Sequence, residues 1–475
     1  MELKRILVVL TLTISMLSVS ACSRNVSGLR KAKSVTERNT ESAAEEKPEE
    51  RPEETSEKAD ETPEKPEEAS EKAEATPEKA DEEALEKEPK EKEEEKKDDN
   101  EPVSSSEDAS AEVEPGNAPA EKIELPKSTG TEINENDFVA EILEDDTAII
   151  TRYNSYEDEC EGIPGEISGH TVVGIGKNAF SYKKFEDLVI PAAVLVIGES
   201  AFSNTEIDGS IDLSGLQLID DNAFFAAELP GEISIPDNAY VGEQAFGYCE
   251  KLEKVTLGRN VTLDDEAFCY AELSDLAVSS GDIIGGRSFF SCPKLKTVSD
   301  SGKGGNLEGS IEKQAFAYCD SMESVSIPSY ITTIAEEAFC YSKIDTGITF
   351  EGKVDIGDKA FFSSECGATI EIPSGSTIAE QSFAYSAKYE DLIIGDDVTI
   401  DDEAFCYTSD VKRATIGKKV IIGDSAFFSS SLEELTVGSG SEIGKEAFAY
   451  SADLKTKNID SDVKTRDDSF YYAGE

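Results

Sequence analysis

From about residue 160 onwards, short stretches of alternating apolar and polar residues recur along the chain at a nearly constant interval. Val325-Ser326-Ile327 is typical. Apolar side chains at every second position predict a short, half-buried β-strand. A Pro or Gly follows most of these stretches and ends the predicted strand, as at Pro328 and Gly417. The pattern therefore predicts many short strands separated by turns.

A phenylalanine marks each unit of this pattern, usually preceded by an alanine. The fourteen are Phe180, Phe202, Phe224, Phe246, Phe268, Phe289, Phe316, Phe339, Phe361, Phe383, Phe405, Phe427, Phe448 and Phe470. Successive members are 21 to 27 residues apart, most often 22. Such a period is typical of a solenoid, in which each turn buries its apolar face only against its neighbours. Stacked turns would place the rings in one core column, about 4.8 Å apart as between paired strands.

The residues after each phenylalanine follow a longer period of three turns. Phe316, Phe339 and Phe361 are followed by Ala-Tyr, Cys-Tyr and Phe-Ser, and the three turns that begin at Phe383 repeat the series. We infer that a three-turn cassette was duplicated. Cassette number can then vary without breaking the fold, because each turn meets only its neighbours.

The repeat unit resembles the BspA-like, or treponemal-type, leucine-rich repeat. Residues 322–340 read MESVSIPSYITTIAEEAFC and residues 432–450 read LEELTVGSGSEIGKEAFAY. The resemblance implies a repeat solenoid: a curved array of about fourteen 22-residue turns, with short parallel strands on one face and turns or 3₁₀ segments on the other. It also implies a bacterial surface or secreted protein of a family associated with adhesion.

Acidic residues stand before many of the Ala-Phe pairs, as in Asp401-Asp402-Glu403-Ala404-Phe405. Such residues cap a one-turn helix or 3₁₀ segment. Calcium binding is the alternative, but the ordered oxygen spacing of a calcium loop is missing. We therefore expect capping and predict no metal site and no cofactor.

The first residues have the pattern of a bacterial lipoprotein signal peptide over 1–21. Lys4 and Arg5 precede an apolar stretch too short to span a bilayer comfortably, and Val19-Ser20-Ala21-Cys22 resembles a lipobox. Lipidation of Cys22 would tether the chain to a membrane. An ordinary signal peptide with a chance Cys is the alternative.

Residues 22–130 are rich in Glu, Lys, Ala and Pro and poor in large apolar residues. Such a composition does not offset the entropy of folding, so we expect a disordered, charged stalk. A passive linker without a length requirement remains the alternative. Residues 131–160 are assigned to the N-terminal lead-in of the array and 161–475 to the solenoid.

The formal net charge is −56. Residues 131–475 hold 25 of the 45 Lys and Arg and 65 of the 101 Asp and Glu, a net of −40. So acidic a domain repels phosphates, which disfavours nucleic acid as a partner and favours basic or neutral proteins.

Outward positions of the predicted strands form two columns that are candidates for a binding face. The first polar column contains Asp212, Ser234, Thr256, Ser326, Thr349, Glu371, Thr415 and Thr436. The second polar column contains Asp187, Glu232, Lys254, Asp275, Ser324, Asp391, Arg413 and Glu434. Both lack the aromatic anchors of tight interfaces, so each contact would be weak and binding would depend on many copies. A merely solvated strand face is the alternative.

The longest interval holds a Gly-rich insertion, Ser299 to Asn306, interpreted as a tolerated flexible loop. Of the eight cysteines besides Cys22, six occupy one of two fixed positions in the repeat, either directly after the phenylalanine or three residues after it, which indicates small core residues. Cys292 and Cys319 occupy the same position on consecutive turns and are the best candidates for a disulfide.

His170 is the only histidine, and no catalytic constellation stands out from the repeat, so an enzyme is not predicted. The hypothesis is a lipid-anchored bacterial surface protein that binds host or neighbouring-cell proteins or glycoproteins. Two alternatives remain: a structural envelope protein that self-associates through its C-terminal turn, and a ligand-presenting subunit of a larger complex.

Overall fold

A computed structural model describes residues 118–156 and 158–474. The signal peptide, Cys22 and most of the stalk lie outside these residues. Within them the chain forms thirty-three strands and neither an α-helix nor a 3₁₀ helix. Of the two segment types expected opposite the strands, the structure therefore has turns.

The strands have the following bounds. They are β1 Ser128–Glu135, β2 Phe138–Leu143, β3 Ala148–Tyr153, β4 Glu166–Ile167, β5 His170–Ile175, β6 Lys184–Phe185, β7 Leu188–Val189, β8 Val196–Ile197, β9 Glu206–Ile207, β10 Ile211–Asp212, β11 Leu218–Ile219, β12 Glu232–Ser234, β13 Tyr240–Val241, β14 Lys254–Thr256, β15 Thr262–Leu263, β16 Asp275–Val278, β17 Ile283–Ile284, β18 Thr297–Asp300, β19 Gly309–Ile311, β20 Met322–Ile327, β21 Ile331–Ile334, β22 Ile344–Phe350, β23 Asp355–Ile356, β24 Thr369–Ile372, β25 Thr377–Ile378, β26 Asp391–Ile394, β27 Thr399–Ile400, β28 Arg413–Ile416, β29 Ile421–Ile422, β30 Glu434–Val437, β31 Glu442–Ile443, β32 Thr456–Ile459 and β33 Lys464–Thr465.

Each solenoid turn contributes a front strand, a back strand and one turn segment; the first two turns add the short strands β6 and β9, which pair in parallel with each other. The front strands are β7, β10 and the even-numbered strands from β12 to β32; they pair in parallel in three sheets, β7–β10, β12–β22 and β24–β32. The back strands are β5, β8, β11 and the odd-numbered strands from β13 to β33, paired in parallel as one continuous stack. The predicted solenoid of about fourteen turns is confirmed, with a second strand stack that the sequence pattern did not reveal.

The third segment of each turn, the Phe turn, extends three residues either side of the repeat phenylalanine. In all fourteen Phe turns, the residues two before and two after the phenylalanine have φ between 52° and 64°. The backbone N–H groups of a Phe turn donate either to the next turn or within the same turn. In the turn around Phe405, the N–H groups of Glu403 and Phe405 donate to carbonyls of the next turn, whereas that of Cys406 donates to the carbonyl of Glu403. The left-handed residues, each costing about 1–2 kcal/mol, persist because this ladder satisfies the backbone.

The repeat phenylalanines form the predicted core column, here called the inner column. Thirteen successive ring pairs are stacked, with centroids 4.8–5.3 Å apart and planes within 12° of parallel. All but Phe470 are fully buried. Rings this close pack at the spacing of paired strands, so strand pairing and ring stacking reinforce each other.

The first described residues lie along the back strands. The β1–β2–β3 meander is antiparallel, and β3 pairs with β5 at the start of the back stack. Lys122 forms an ion pair with Asp220 at 2.5 Å, and Asn260 donates to the carbonyl of Ala118 at 3.3 Å. Residues 118–127, assigned from sequence to the stalk, therefore contact several successive turns of the solenoid.

No helix of the described residues is long and apolar enough to cross a membrane.

Candidate functional site

The two polar columns lie on the front strands, in the register expected of stacked turns, except that Asp187 directly precedes β7. In the second polar column, Lys254 pairs with Glu232 on one side and Asp275 on the other. Further along it, Arg413 pairs with Asp391 and with Glu434. Neighbouring members are thus brought together by strand pairing.

The columns are interrupted where the front sheets end. Asp212 belongs to the first front sheet and Ser234 to the second. Thr349 lies on β22, the last strand of the second front sheet, and Glu371 lies on β24, the first strand of the third. The front face is therefore three consecutive sheets, not one uninterrupted surface.

Many charged members of the second polar column are already paired along it. Arg413 contacts both carboxylate oxygens of Asp391, at 2.5 and 2.7 Å. Asp187 accepts hydrogen bonds from the N–H and hydroxyl of Ser210, which hold the pKa of Asp187 below its usual value. Hydrogen bonds from Ser274 and Thr297 similarly lower the pKa of Asp275. These carboxylates therefore stay ionised at neutral pH, and the face keeps its acidic character.

Two exposed apolar residues interrupt the first polar column. Val189 pairs with Asp212 and is 63% exposed, and Ile393 lies between Glu371 and Thr415 and is 40% exposed. Counting one repeat on from Glu371 identifies Ile393 in the sequence, but selecting only polar residues passes over it. The column is therefore less uniformly polar than its predicted members indicated.

A second line of aromatic rings, here called the outer column, was missed by sequence reasoning. Its members are Phe225, Tyr248, Tyr270, Phe290, Tyr318, Tyr341, Phe362, Tyr385, Tyr407, Phe428 and Tyr450, followed by Tyr471 and Tyr472. Up to Tyr450, successive centroids are 4.9–5.9 Å apart. The rings are half-buried or exposed, Tyr407 by 41%. They form a ring-lined surface on the Phe turns.

The three-turn cassette has a physical explanation in the outer column. From the Phe224 turn to the Phe448 turn, each turn supplies one ring, either as Tyr two residues after the repeat phenylalanine or as Phe one residue after it. Where Tyr341 supplies the ring, the neighbouring Cys340 is small; where Phe362 supplies it, Ser363 follows. The pattern Tyr, Tyr, Phe therefore preserves a continuous column while its geometry alternates between stacked and edge-on pairs.

Burial raises the pKa of Tyr318 and of Tyr385 to about 12. Their hydroxyls therefore remain protonated at neutral pH and can donate hydrogen bonds from the outer column.

The eight cysteines among the described residues are free and buried, which confirms that they are core residues. Cys292 and Cys319, the best candidates for a disulfide, are both free thiols in the structure. Each of these thiols instead donates to a repeat-phenylalanine carbonyl, Cys319 to Phe289 at 3.2 Å. Ser342 occupies the equivalent place one turn later and donates to Phe316 at 2.6 Å. Cysteine and serine are therefore interchangeable donors at this position.

The acidic residues near the Phe turns accept backbone hydrogen bonds from the next turn. Asp402 accepts from the N–H of Asp424 at 2.7 Å, and Asp424 from the N–H of Lys445 at 2.7 Å. These carboxylates therefore cap turns of the solenoid and not the one-turn helix or 3₁₀ segment that was expected. No group of residues in the described part of the chain is arranged to hold a metal ion.

The insertion is fastened to the turn before it, although the sequence indicated a flexible loop. The hydroxyls of Ser279 and Ser301 are 2.6 Å apart, and Ser280 donates to the carbonyl of Leu307 at 2.9 Å. Beneath it, buried Asp282 accepts from the N–H groups of Val261 and Ser279. Desolvation outweighs these bonds and raises the pKa of Asp282 to about 8.

His170 has a structural environment. It is the first residue of β5, and its Nδ1 lies 2.9 Å from the carbonyl oxygen of Asp146. Oδ1 of Asp146 lies 3.2 Å from the same nitrogen.

Stacked front strands, back strands and Phe turns define a leucine-rich-repeat solenoid. The sequence model described as "BspA type Leucine rich repeat region" matches in six copies over residues 173–296, 309–433 and 354–474, more than half of the chain. The chain belongs to the BspA-type leucine-rich repeat family. Members of this family are bacterial cell-surface proteins whose repeats bind other proteins. Proteins of this family are typically not enzymes.

Several solved structures are similar to this chain. A leucine-rich repeat protein from Bacteroides ovatus ATCC 8483 is 20% identical, with a TM-score of 0.43 over 70% of this chain and 78% of its own. A leucine rich cell surface protein from Faecalibacterium prausnitzii A2-165 is 20% identical, with a TM-score of 0.32 over 70% of this chain and 96% of its own. The pneumococcal vaccine antigen PcpA is 16% identical, with a TM-score of 0.34 over 72% of this chain and 90% of its own. The family assignment rests on the repeat match and not on these similarities.

No curated protein matches the sequence.

Proposed function

We propose that this protein is a lipid-anchored bacterial surface protein whose polar columns bind proteins or glycoproteins of a host or neighbouring cell. The observation that carries the proposal is the front face, where exposed polar side chains repeat in register on successive parallel strands. A repeating face of this kind offers many similar weak contacts, and many copies on one cell multiply them.

Lipidation of Cys22 supplies the anchor, and the charged residues between Cys22 and the segment that contacts the solenoid from residue 118 supply the stalk. Support comes from Val19-Ser20-Ala21-Cys22 and from the charged, Pro-containing composition that follows. Cells expressing the full chain and its Cys22→Ser variant, fed a radiolabelled fatty acid, test the anchor. We expect label in the wild type alone; equal labelling of both would refute lipidation at Cys22.

The binding role is tested by two charge-matched variants displayed on cells. Glu371→Lys with Glu434→Lys reverses exposed charges in the polar columns. Asp355→Lys with Glu380→Lys makes the same charge change at exposed positions outside them. We expect the first pair to reduce adhesion to matrix-coated surfaces or to neighbouring cells, and the second to leave it near the wild-type level. Equal effects of both pairs would attribute adhesion to net charge and refute the role of the columns.

Self-association in the envelope is the second candidate. Tyr471 and Tyr472 supply two rings in one turn, 46% and 51% exposed. Large exposed aromatic residues favour association between copies. Light scattering of the purified chain over a range of concentrations separates the two candidates, because a constant monomeric mass would exclude self-association under those conditions.

A further inference from the structure

An arginine of this chain occupies a site built from a carboxylate and an outer-column ring. The guanidinium carbon of Arg287 lies 4.7 Å from the ring centroid of Phe290. Its Nη1 is 2.5 Å from Oε1 of Glu266. Gln244 donates to the other carboxylate oxygen, Oε2 of Glu266, at 2.6 Å. One carboxylate oxygen is thus held by an amide, and the other faces the guanidinium beside the ring.

The same framework recurs six turns later without the arginine. Gln381 donates to Oε2 of Glu403 at 2.7 Å, as Gln244 does to Glu266. Phe428 takes the place of Phe290 in the outer column, between Tyr407 and Tyr450. The residue that corresponds to Arg287 is Ser425.

The backbone at the two positions is alike, so the difference lies in the side chain. Arg287 has φ of 56° and Ser425 has φ of 58°. The serine hydroxyl is too short to reach both the carboxylate and the ring face. No Lys or Arg within the described residues forms an ion pair with Glu403. In the intermediate cassette Lys359 takes this position, so that turn also carries a cation of its own.

A guanidinium is the group that this framework fits best. It is planar, so it can lie against an aromatic face while its N–H groups bond to a carboxylate. An ammonium is a compact, strongly hydrated charge and gains less from the ring. The acidic solenoid also attracts basic segments of a partner towards the site.

We propose that Glu403, Ser425 and Phe428 form a recognition site for an arginine side chain of a partner protein. The partner's guanidinium would stack on Phe428 and bond to Oε1 of Glu403, as Arg287 does within the chain. This site lies on the Phe turns and not on the front strands. It therefore goes beyond the proposed binding face and does not depend on it.

Ligand-observed saturation-transfer NMR on the full chain tests the site, because it detects the weak binding expected of one side chain. The probes are Nα-acetyl-arginine methylamide and its lysine counterpart. We expect stronger saturation transfer to the arginine side chain than to the lysine side chain. Equal transfer to both would overturn the proposal in favour of unspecific attraction of cations.

Two variants at equivalent positions provide matched controls. Ser425→Arg places the chain's own guanidinium in the site, so transfer to the arginine probe should fall by at least half. Arg287→Ser should create a second site and increase the transfer. The backbone at position 425 accepts arginine, as position 287 does, and thermal melting should show that Ser425→Arg stays folded. An unchanged signal in a folded Ser425→Arg variant would overturn the proposal, whatever the outcome for the polar columns.

Discussion

Two adjacent phenylalanines, Phe361 and Phe362, provide a direct test of the solenoid core. Phe361 belongs to the inner column and is fully buried. It stacks on Phe339 at 5.0 Å and on Phe383 at 4.8 Å. Phe362 belongs to the outer column and is only half-buried, with ring neighbours at 5.9 and 5.4 Å. The two changes to alanine remove the same atoms from the same turn, so only the environment differs.

The expected costs follow from burial. Phe361→Ala leaves a cavity between two stacked turns and should lower the free energy of unfolding by about 3–5 kcal/mol. Part of this is the loss of three ring pairs, the two stacked pairs and an edge-on pair with Phe350 at 6.3 Å, each worth about 0.5–1.5 kcal/mol. Phe362→Ala removes a ring already partly in water and should cost about 1–2 kcal/mol.

Urea unfolding followed by far-UV circular dichroism measures both costs, with the same slope of the transition required for a valid comparison. Since turns of a solenoid can unfold separately, a second probe, the near-UV signal of the tyrosines, should give a coincident transition. The reasoning is refuted if Phe362→Ala costs as much as Phe361→Ala.

Three further predictions follow from the same contacts. Cys319→Ser should change the free energy of unfolding by less than about 1 kcal/mol because serine still donates to the carbonyl of Phe289, whereas Cys319→Val should lower it by about 1–3 kcal/mol because that carbonyl is left unpaired. Urea unfolding measures both variants, and equal costs would contradict the assigned hydrogen bond. Burial raises the pKa of Asp282 from 3.8 to about 8, so the stability that its protonated form contributes is full below pH 4 and is lost as the pH rises to about 8. The urea midpoint of the wild type should therefore fall over that pH range relative to the midpoint of Asp282→Asn and stay parallel to it above pH 8, and midpoints that are parallel at every pH would refute the shift. Deletion of residues 317–383 joins Phe316 to Ala384 and removes one whole cassette, so circular dichroism and gel filtration should still show a folded solenoid, whereas deletion of 317–349 breaks the register of the turns and should prevent folding. An unfolded first variant together with a folded second variant would contradict the cassette.

The candidate surfaces were only partly accessible from the sequence. The polar columns follow from strand alternation, because residues one repeat apart must pair when turns stack, as Lys254 and Asp275 do. The outer column does not follow from counting, since its ring comes from different positions in successive turns, as with Tyr341 and Phe362. Two-residue back strands are likewise too short to give an alternation signal.

The amino-acid sequence alone was enough to predict the period, the number of turns and the residues of the inner column. It could do so because each turn contacts only its neighbours, so one interval repeated along the chain specifies the whole stack. The three-dimensional structure was needed to show which side chains meet across turns. Arg413 pairs with Asp391, the thiol of Cys319 donates to the carbonyl of Phe289, and Arg287 lies between Glu266 and Phe290. These contacts join residues 3 to 30 positions apart, and their formation depends on backbone direction and side-chain length, which spacing alone does not specify.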